Sequence, residues 1–363
     1  MNEALAWMMG LHMAFGAIFV ALAVARLRPG FRDDEGSPRL LGGLGRAMRG
    51  RRFLYRPACG DDAMLWKERY VSRTSGTTKL VAGLLGLLVV GSLAPLVYDF
   101  ARPAFAELAE YGYGSLGTNR ARVEFSGFLR VAGTLIYIAW GLGVASAASS
   151  GIAQEREADT WISLVSTPLS GLEIVRAKMF GALWGLRGLG VLLLGLWLLG
   201  VAAGAVHPLA LLAVVVETAV FLWFVAALGL FLSARAKSSA RAMTATVAIL
   251  IVLNGGYLMC CIPLQPNTPL VALGVTPLIL PASLFTYEEF LTPLSPGSIR
   301  WKLFATCFAG VSAYAAAAFG LTAGTIARFD EWIERPRRPR TEPPAIDFRE
   351  PEPDEELGEE GLA

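Results

Sequence analysis

Met179–Ala234, MFGALWGLRGLGVLLLGLWLLGVAAGAVHPLALLAVVVETAVFLWFVAALGLFLSA, is the stretch that decides the fold. Its charged residues are Arg187 and Glu217 alone. An apolar segment this long exceeds what one helix needs to cross a hydrocarbon layer of ~30 Å, at ~1.5 Å of rise per residue. It must fold back on itself, and His207-Pro208 supplies the turn. The stretch therefore reads as two membrane spans, Met179–Val206 and Pro208–Ala234.

Working outward, five more apolar runs of similar length lie at Ala4–Ala25, Leu80–Tyr98, Phe128–Ala148, Ala242–Leu264 and Leu303–Ala327. The composition agrees: 54% hydrophobic and 17% charged over 363 residues exceeds what a soluble core requires. The expected fold is an all-α integral membrane protein, a helical bundle of about seven transmembrane helices.

Lys and Arg are retained on the cytoplasmic side during insertion. With the N-terminus outside, the inner segments hold five times as many Lys and Arg as the outer ones. This predicts a multi-pass protein of the cell membrane with its C-terminus in the cytoplasm. It also argues against an eighth span at Pro269–Phe285, which is broken by Pro277 and Pro281 and would carry the tail arginines outside. That stretch reads as a re-entrant or surface-lying outer element. The first span ends in Ala23-Val24-Ala25, as a cleaved signal would, but Glu3 precedes it and Arg26 and Arg28 follow, which favours an uncleaved anchor.

Between the first two spans the chain is basic. Asp61–Arg73, DDAMLWKERYVSR, has an acidic start, Trp66 and Tyr70 four apart, and Lys67, Glu68, Arg69 and Arg73 crowding the other side. It reads as a helix lying on the membrane surface. Arg46, Arg49, Arg51, Arg52 and Arg56 suit anionic headgroups, so membrane lipids are expected partners. Nucleic acid is not, because the inner face of any membrane protein is basic for topological reasons.

The polar interruption Glu155–Lys178, EREADTWISLVSTPLSGLEIVRAK, falls in the cytoplasm between the third and fourth spans. Glu155 and Glu157 stand where carboxylates suit a helix start, and Trp161, Leu164 and Val165 share one face of the expected helix. Thr167-Pro168 ends it, since proline disfavours helical geometry in the residue before it. By these rules alone the segment is either a docking helix for a cytosolic partner or a solvated hairpin without one.

The order Glu155-Arg156-Glu157, Thr160, Leu164, Thr167-Pro168-Leu169-Ser170, Glu173-Ile174 and Lys178 resembles the signature of type-2 ABC exporter permeases. Asp159 stands where that family has glycine, and Ala177 replaces the glycine before Lys178. The resemblance implies a six-span permease core, with Ala4–Ala25 as an extra N-terminal span. It implies a coupling helix that docks in an ATPase subunit through Glu155, Glu157, Thr160, Trp161, Leu164, Thr167, Pro168 and Leu169. It further implies a second permease half, either a second copy or a paralogue, with ATP and Mg bound on the ATPase and no cofactor in this chain.

The domain layout follows. Residues 1–28 form the extra span, 29–79 the basic loop and surface helix, and 80–328 the permease domain. Within the latter lie the coupling helix near 153–170 and the outer element at 265–300. Residues 329–363 read as a disordered acidic tail, carrying nine acidic residues after Arg340.

Competing functions have less in the sequence. No Gly-x-x-x-x-Gly-Lys-[Ser/Thr] loop is present, so an ATPase has to be a separate chain. The two histidines, His12 and His207, form no metal or catalytic spacing, which disfavours a membrane-embedded transferase or hydrolase. A membrane scaffold fits the composition and leaves Glu155–Lys178 without a purpose. Cys260 or Cys261 could meet Cys307, although thiols packed as small apolar groups suffice. Last, Arg187 and Glu217 both count to mid-membrane, where a charge costs at least ~2.5 kcal/mol, and the expectation is either a buried ion pair between them or independent snorkelling of Arg187 with a protonated Glu217 bonded elsewhere.

Overall fold

The structure, a computed structural model, describes residues 59, 62–70, 76–113, 120–160, 169–259 and 299–332. Its elements in chain order are α1 (Ala63–Tyr70), α2 (Gly76–Tyr111), α3 (Arg120–Ser150), α4 (Ala153–Glu157), α5 (Gly171–Gly185), α6 (Arg187–Ala202), α7 (Pro208–Arg235), α8 (Ser239–Met259) and α9 (Ile299–Trp332). Among the described residues every element is a helix. Ala4–Ala25, Pro269–Phe285 and residues 333–363 lie outside them, whereas residues 329–332, expected in the disordered tail, continue α9, where Phe329 is fully buried.

The chain divides into two compact units, Met1–Arg56 with Thr74–Leu84, and Pro57–Arg73 with Leu85–Ala363. Of the first, only the opening of α2 is described. All that follows concerns the second.

Four helical stretches are long and apolar enough to cross a membrane: Gly83–Tyr111, Arg120–Ser150, Pro208–Arg235 and Cys307–Trp332. The pair α5 and α6, bent by 56° at Leu186, is together long and apolar enough to be a broken span or a re-entrant loop. α8 covers the expected sixth span with an apolar stretch that is shorter within the described residues. The fold is therefore the expected helical membrane bundle. One expectation is corrected: Met179–Val206 is a bent pair of helices, not one rod, because Leu186 leaves helical geometry at φ −113°, ψ 15°.

Local chemistry sets the helix starts. α7 begins with Pro208 in its first turn, where the missing N–H would have had no partner anyway, and the His207 Nδ1 accepts from the Leu209 N–H at 3.2 Å. α5 opens on a capping box: the Ser170 Oγ accepts from the Glu173 N–H at 3.3 Å, and the Glu173 carboxylate accepts from the Ser170 N–H at 2.8 Å.

α7 is the central helix of this unit, packed chiefly on α9 and α3. Phe125, Leu129, Tyr137 and Val144 of α3 and Phe221, Val225 and Leu230 of α7 form the core. Lipid is as apolar as these side chains, so helix association here depends on close fit. Gly229 supplies it: a Cβ there would stand 2.8 Å from the Ala148 Cβ and 3.0 Å from the Ser149 N. By contrast, the apolar windows of α2 and α9 are each only 6% buried, leaving long faces for lipid or another chain.

Candidate functional site

The polar interruption emerges from the bundle at the end of α3, and its first residues are tied down at once. The Ile152 and Ala153 N–H groups donate to the Ser233 Oγ at 3.1 and 3.0 Å. Ser233 is fully buried on α7. A helix start without a cap of its own thus takes one from a neighbouring helix.

From this anchored turn the three residues Glu155, Arg156 and Glu157 reach in three directions. Glu155 points inward. It is 1% exposed, and its Oε1 lies 2.7 Å from the Lys178 Nζ on α5. Lys178 also meets the Glu68 Oε1 of α1 at 2.7 Å, and the Lys67 Nζ stands 3.9 Å from Glu155. Two acids and two bases from three elements form one network, in which each buried charge has an opposite neighbour.

Arg156 turns sideways, donating to the Ala236 carbonyl after α7 at 3.4 Å and to the Trp332 carbonyl ending α9 at 3.3 Å. A cation suits both places, since helix C-termini carry partial negative charge. Glu157 faces the start of α8. Its two oxygens accept from the Ser239 N–H at 2.9 Å and the Ser239 hydroxyl at 2.7 Å. These bonds hold its carboxyl below the ordinary value of 4.5.

The α4 turn then stops. The Thr160 N–H donates to the Glu155 carbonyl at 3.1 Å and the Asp159 N–H to the Arg156 carbonyl at 3.2 Å, with Asp159 at φ 52°. This is a Schellman cap, whose left-handed residue is most often glycine. Asp159 occupies the position where the signature has glycine, and the geometry there is the one glycine adopts freely.

The expected helix is corrected accordingly. Glu155 and Glu157 do not open a helix that continues through Trp161 and Leu164, because the turn containing them closes at Asp159. Trp161, Leu164, Thr167 and Pro168 lie outside the described residues. Thr160 bonds back to the Glu155 carbonyl through its hydroxyl as well, at 3.3 Å. Beyond 168 the chain is described again at Leu169, half-buried against the core, and Gly171 fits beneath the ring of Phe329 on α9, where a Cβ would come within 3.0 Å.

α1 completes the junction. Asp62 caps it by accepting from the Leu65 N–H at 3.0 Å and pairs with Arg176 of α5 at 3.2 Å. α1 presses close to α5 at Gly181, where a Cβ would stand 2.8 Å from the Glu68 Cβ. That approach delivers Glu68 to Lys178. The basic side chains of this helix thus face an acid partner and a tryptophan inside the protein, a placement that spacing alone did not indicate.

The structure does not bring Arg187 and Glu217 together. Arg187 starts α6 just past the bend, is exposed, and donates to the Trp184 carbonyl at 3.1 Å. Glu217 is half-buried on α7 near Tyr137 and Cys307. Cys307 is a free thiol, and Cys260 and Cys261 lie outside the described residues.

The polar turn is thus bonded to α1, α5, α7, α8 and α9 of an apolar helical bundle. Residues 63–328 match the family described as ABC-2 family transporter protein, and the chain belongs to that family. The match begins at α1 and ends within the last turns of α9, so α1 is part of the family unit. No curated protein matches the chain. The protein is a multi-pass membrane component of an ABC transporter.

Proposed function

We propose that this chain is the permease half of an ATP-driven exporter, oriented with its N-terminus outside and its C-terminus in the cytoplasm. A separate ATPase subunit binds ATP and Mg and docks on the segment near 153–170. A second permease half, a second copy or a paralogue, completes the pathway.

The observation that carries this reading is the Glu155–Lys178–Glu68 network beneath that segment. A partner pushing on residues 161–168 would act on a turn bonded to α1, α5, α7, α8 and α9 at once. Glu155 is buried and so serves the coupling from within, by fixing the turn to α5. Thr160 likewise shapes the turn through the Glu155 carbonyl. Surface contact with the ATPase falls to Trp161, Leu164, Thr167 and Pro168.

The test is affinity purification in mild detergent of the wild type and of a variant with Thr167-Pro168 replaced by two glycines. The wild type should bring an ATPase with it, and the variant should insert normally and lose most of that ATPase. A wild type that carries no ATPase, or a variant that carries it undiminished, would overturn the proposal.

A further inference from the structure

The bend between α5 and α6 holds a second cluster that the coupling network does not use. The Arg69 Cζ, from α1, lies 4.9 Å from the centroid of the Trp184 ring. The Arg187 Cζ, from α6, lies 4.7 Å from the same centroid. Two elements therefore place two permanent positive charges on one indole. Each is attracted by the ring, yet they repel each other, and the ring cannot neutralise either.

No carboxylate pairs with either guanidinium among the described residues. The acids nearest in the fold are engaged elsewhere: Glu68 and Glu155 with Lys178, Asp62 with Arg176. What remains is a set of donors. The Arg69 Nε and the Trp184 Nε1 are buried without a hydrogen-bond partner. Arg187 gives one N–H to the Trp184 carbonyl and is otherwise exposed. The backbone beside it is open, since a Cβ at Gly185 or Gly188 would meet nothing within 4 Å.

We propose that the guanidinium groups of Arg69 and Arg187 bind a phosphate, that of an anionic phospholipid headgroup in the leaflet on the Glu155 side. Guanidinium forks match phosphate oxygens, and a tetrahedral anion offers oxygens to several donors together. The flanking surface favours a lipid over free phosphate. Phe180, one turn before Trp184, is 43% exposed, and Val191, one turn after Arg187, is 70% exposed, so acyl chains find an apolar surface along both helices from the bend. The bound lipid would join α1 to the α5–α6 bend. This site stands independently of the ATPase reading.

The full-length protein in mild detergent, stripped of bound lipid, is to be titrated with phosphatidylglycerol, with diacylglycerol of the same chains and with inorganic phosphate. Native mass spectrometry reads retained lipid, and the melting midpoint reads stabilisation. Phosphatidylglycerol should be retained and raise the midpoint, and diacylglycerol should do neither. Replacing both arginines, Arg69→Gln with Arg187→Gln, should weaken phosphatidylglycerol binding by about tenfold per arginine. Arg241→Gln, which removes a charge elsewhere, should not change it. Undiminished affinity in the double variant would overturn the site. Inorganic phosphate acting as well as phosphatidylglycerol would overturn the lipid assignment in favour of a free anion. Should the glutamine pair fail to fold, Arg69→Lys with Arg187→Lys keeps the charge and loses the fork, and unchanged affinity there overturns the proposal equally.

Discussion

Glu155 and Lys178 stand 23 positions apart in the chain and 2.7 Å apart in the fold, both almost fully buried. They are the two ends of the polar interruption, closed on each other like a clasp.

Removing one end leaves the other charge buried without its partner. Lys178→Met is expected to lower stability by about 3–5 kcal/mol, and Glu155→Gln with Lys178→Met to recover part of that loss. Melting of the wild type, both single variants and the double variant in detergent measures the coupling. Losses that merely add would show that the pair contributes nothing as a pair.

Glu157 gives a pH dependence. Its folded value lies below 4.5 because of the Ser239 bonds. The group therefore contributes stability above that ordinary value, and the contribution is lost as pH falls from 4.5 through the lower folded value. Glu157→Ala should be less stable than wild type at neutral pH, with the gap closing under acid. A gap that stays constant from neutral pH to below 4 would remove the interaction.

At Asp159 the φ of 52° favours glycine. Asp159→Gly is expected to be neutral or stabilising by up to ~1 kcal/mol, and Asp159→Val to destabilise by ~1–2 kcal/mol. The comparison of melting midpoints checks it, and equal effects of the two changes would contradict the left-handed turn.

Gly181 sits 2.8 Å, as a hypothetical Cβ, from the Glu68 Cβ. Gly181→Val should push α1 off α5 and cost ~1–3 kcal/mol. Gly181→Ala should cost less than Gly181→Val, and melting midpoints of both variants equal to that of the wild type would place α1 elsewhere.

Arg187 and Glu217 should behave independently. In a cycle of Arg187→Leu, Glu217→Leu and the double change, the effects are expected to add to within ~0.5 kcal/mol, and exchanging the two charges should rescue nothing. A coupling well above that would restore the ion pair.

Much of this architecture was legible in order. Apolar length located the spans from Leu80 onward, His207-Pro208 marked the turn before α7, and Asp62 marked the start of α1, because these signals act over a few residues. Ser170 to Glu173 is a capping box whose spacing is itself legible in the sequence. The signature from Glu155 to Lys178 led to the family, since it preserves residue types in sequence whatever their contacts.

The directions of the charges were decided only by the tertiary structure. Two carboxylates two positions apart look alike in a sequence, yet Glu155 turns into the bundle toward Lys178 and Glu68 while Glu157 turns out toward Ser239. Arg187 lies beside Trp184, just past a bend that its apolar, glycine-rich surroundings did not announce. The physical reason is range. Hydrophobic length and helix capping are set by neighbours along the chain, whereas the partner of a buried charge is whichever opposite charge the packing of other helices carries to within about 4 Å.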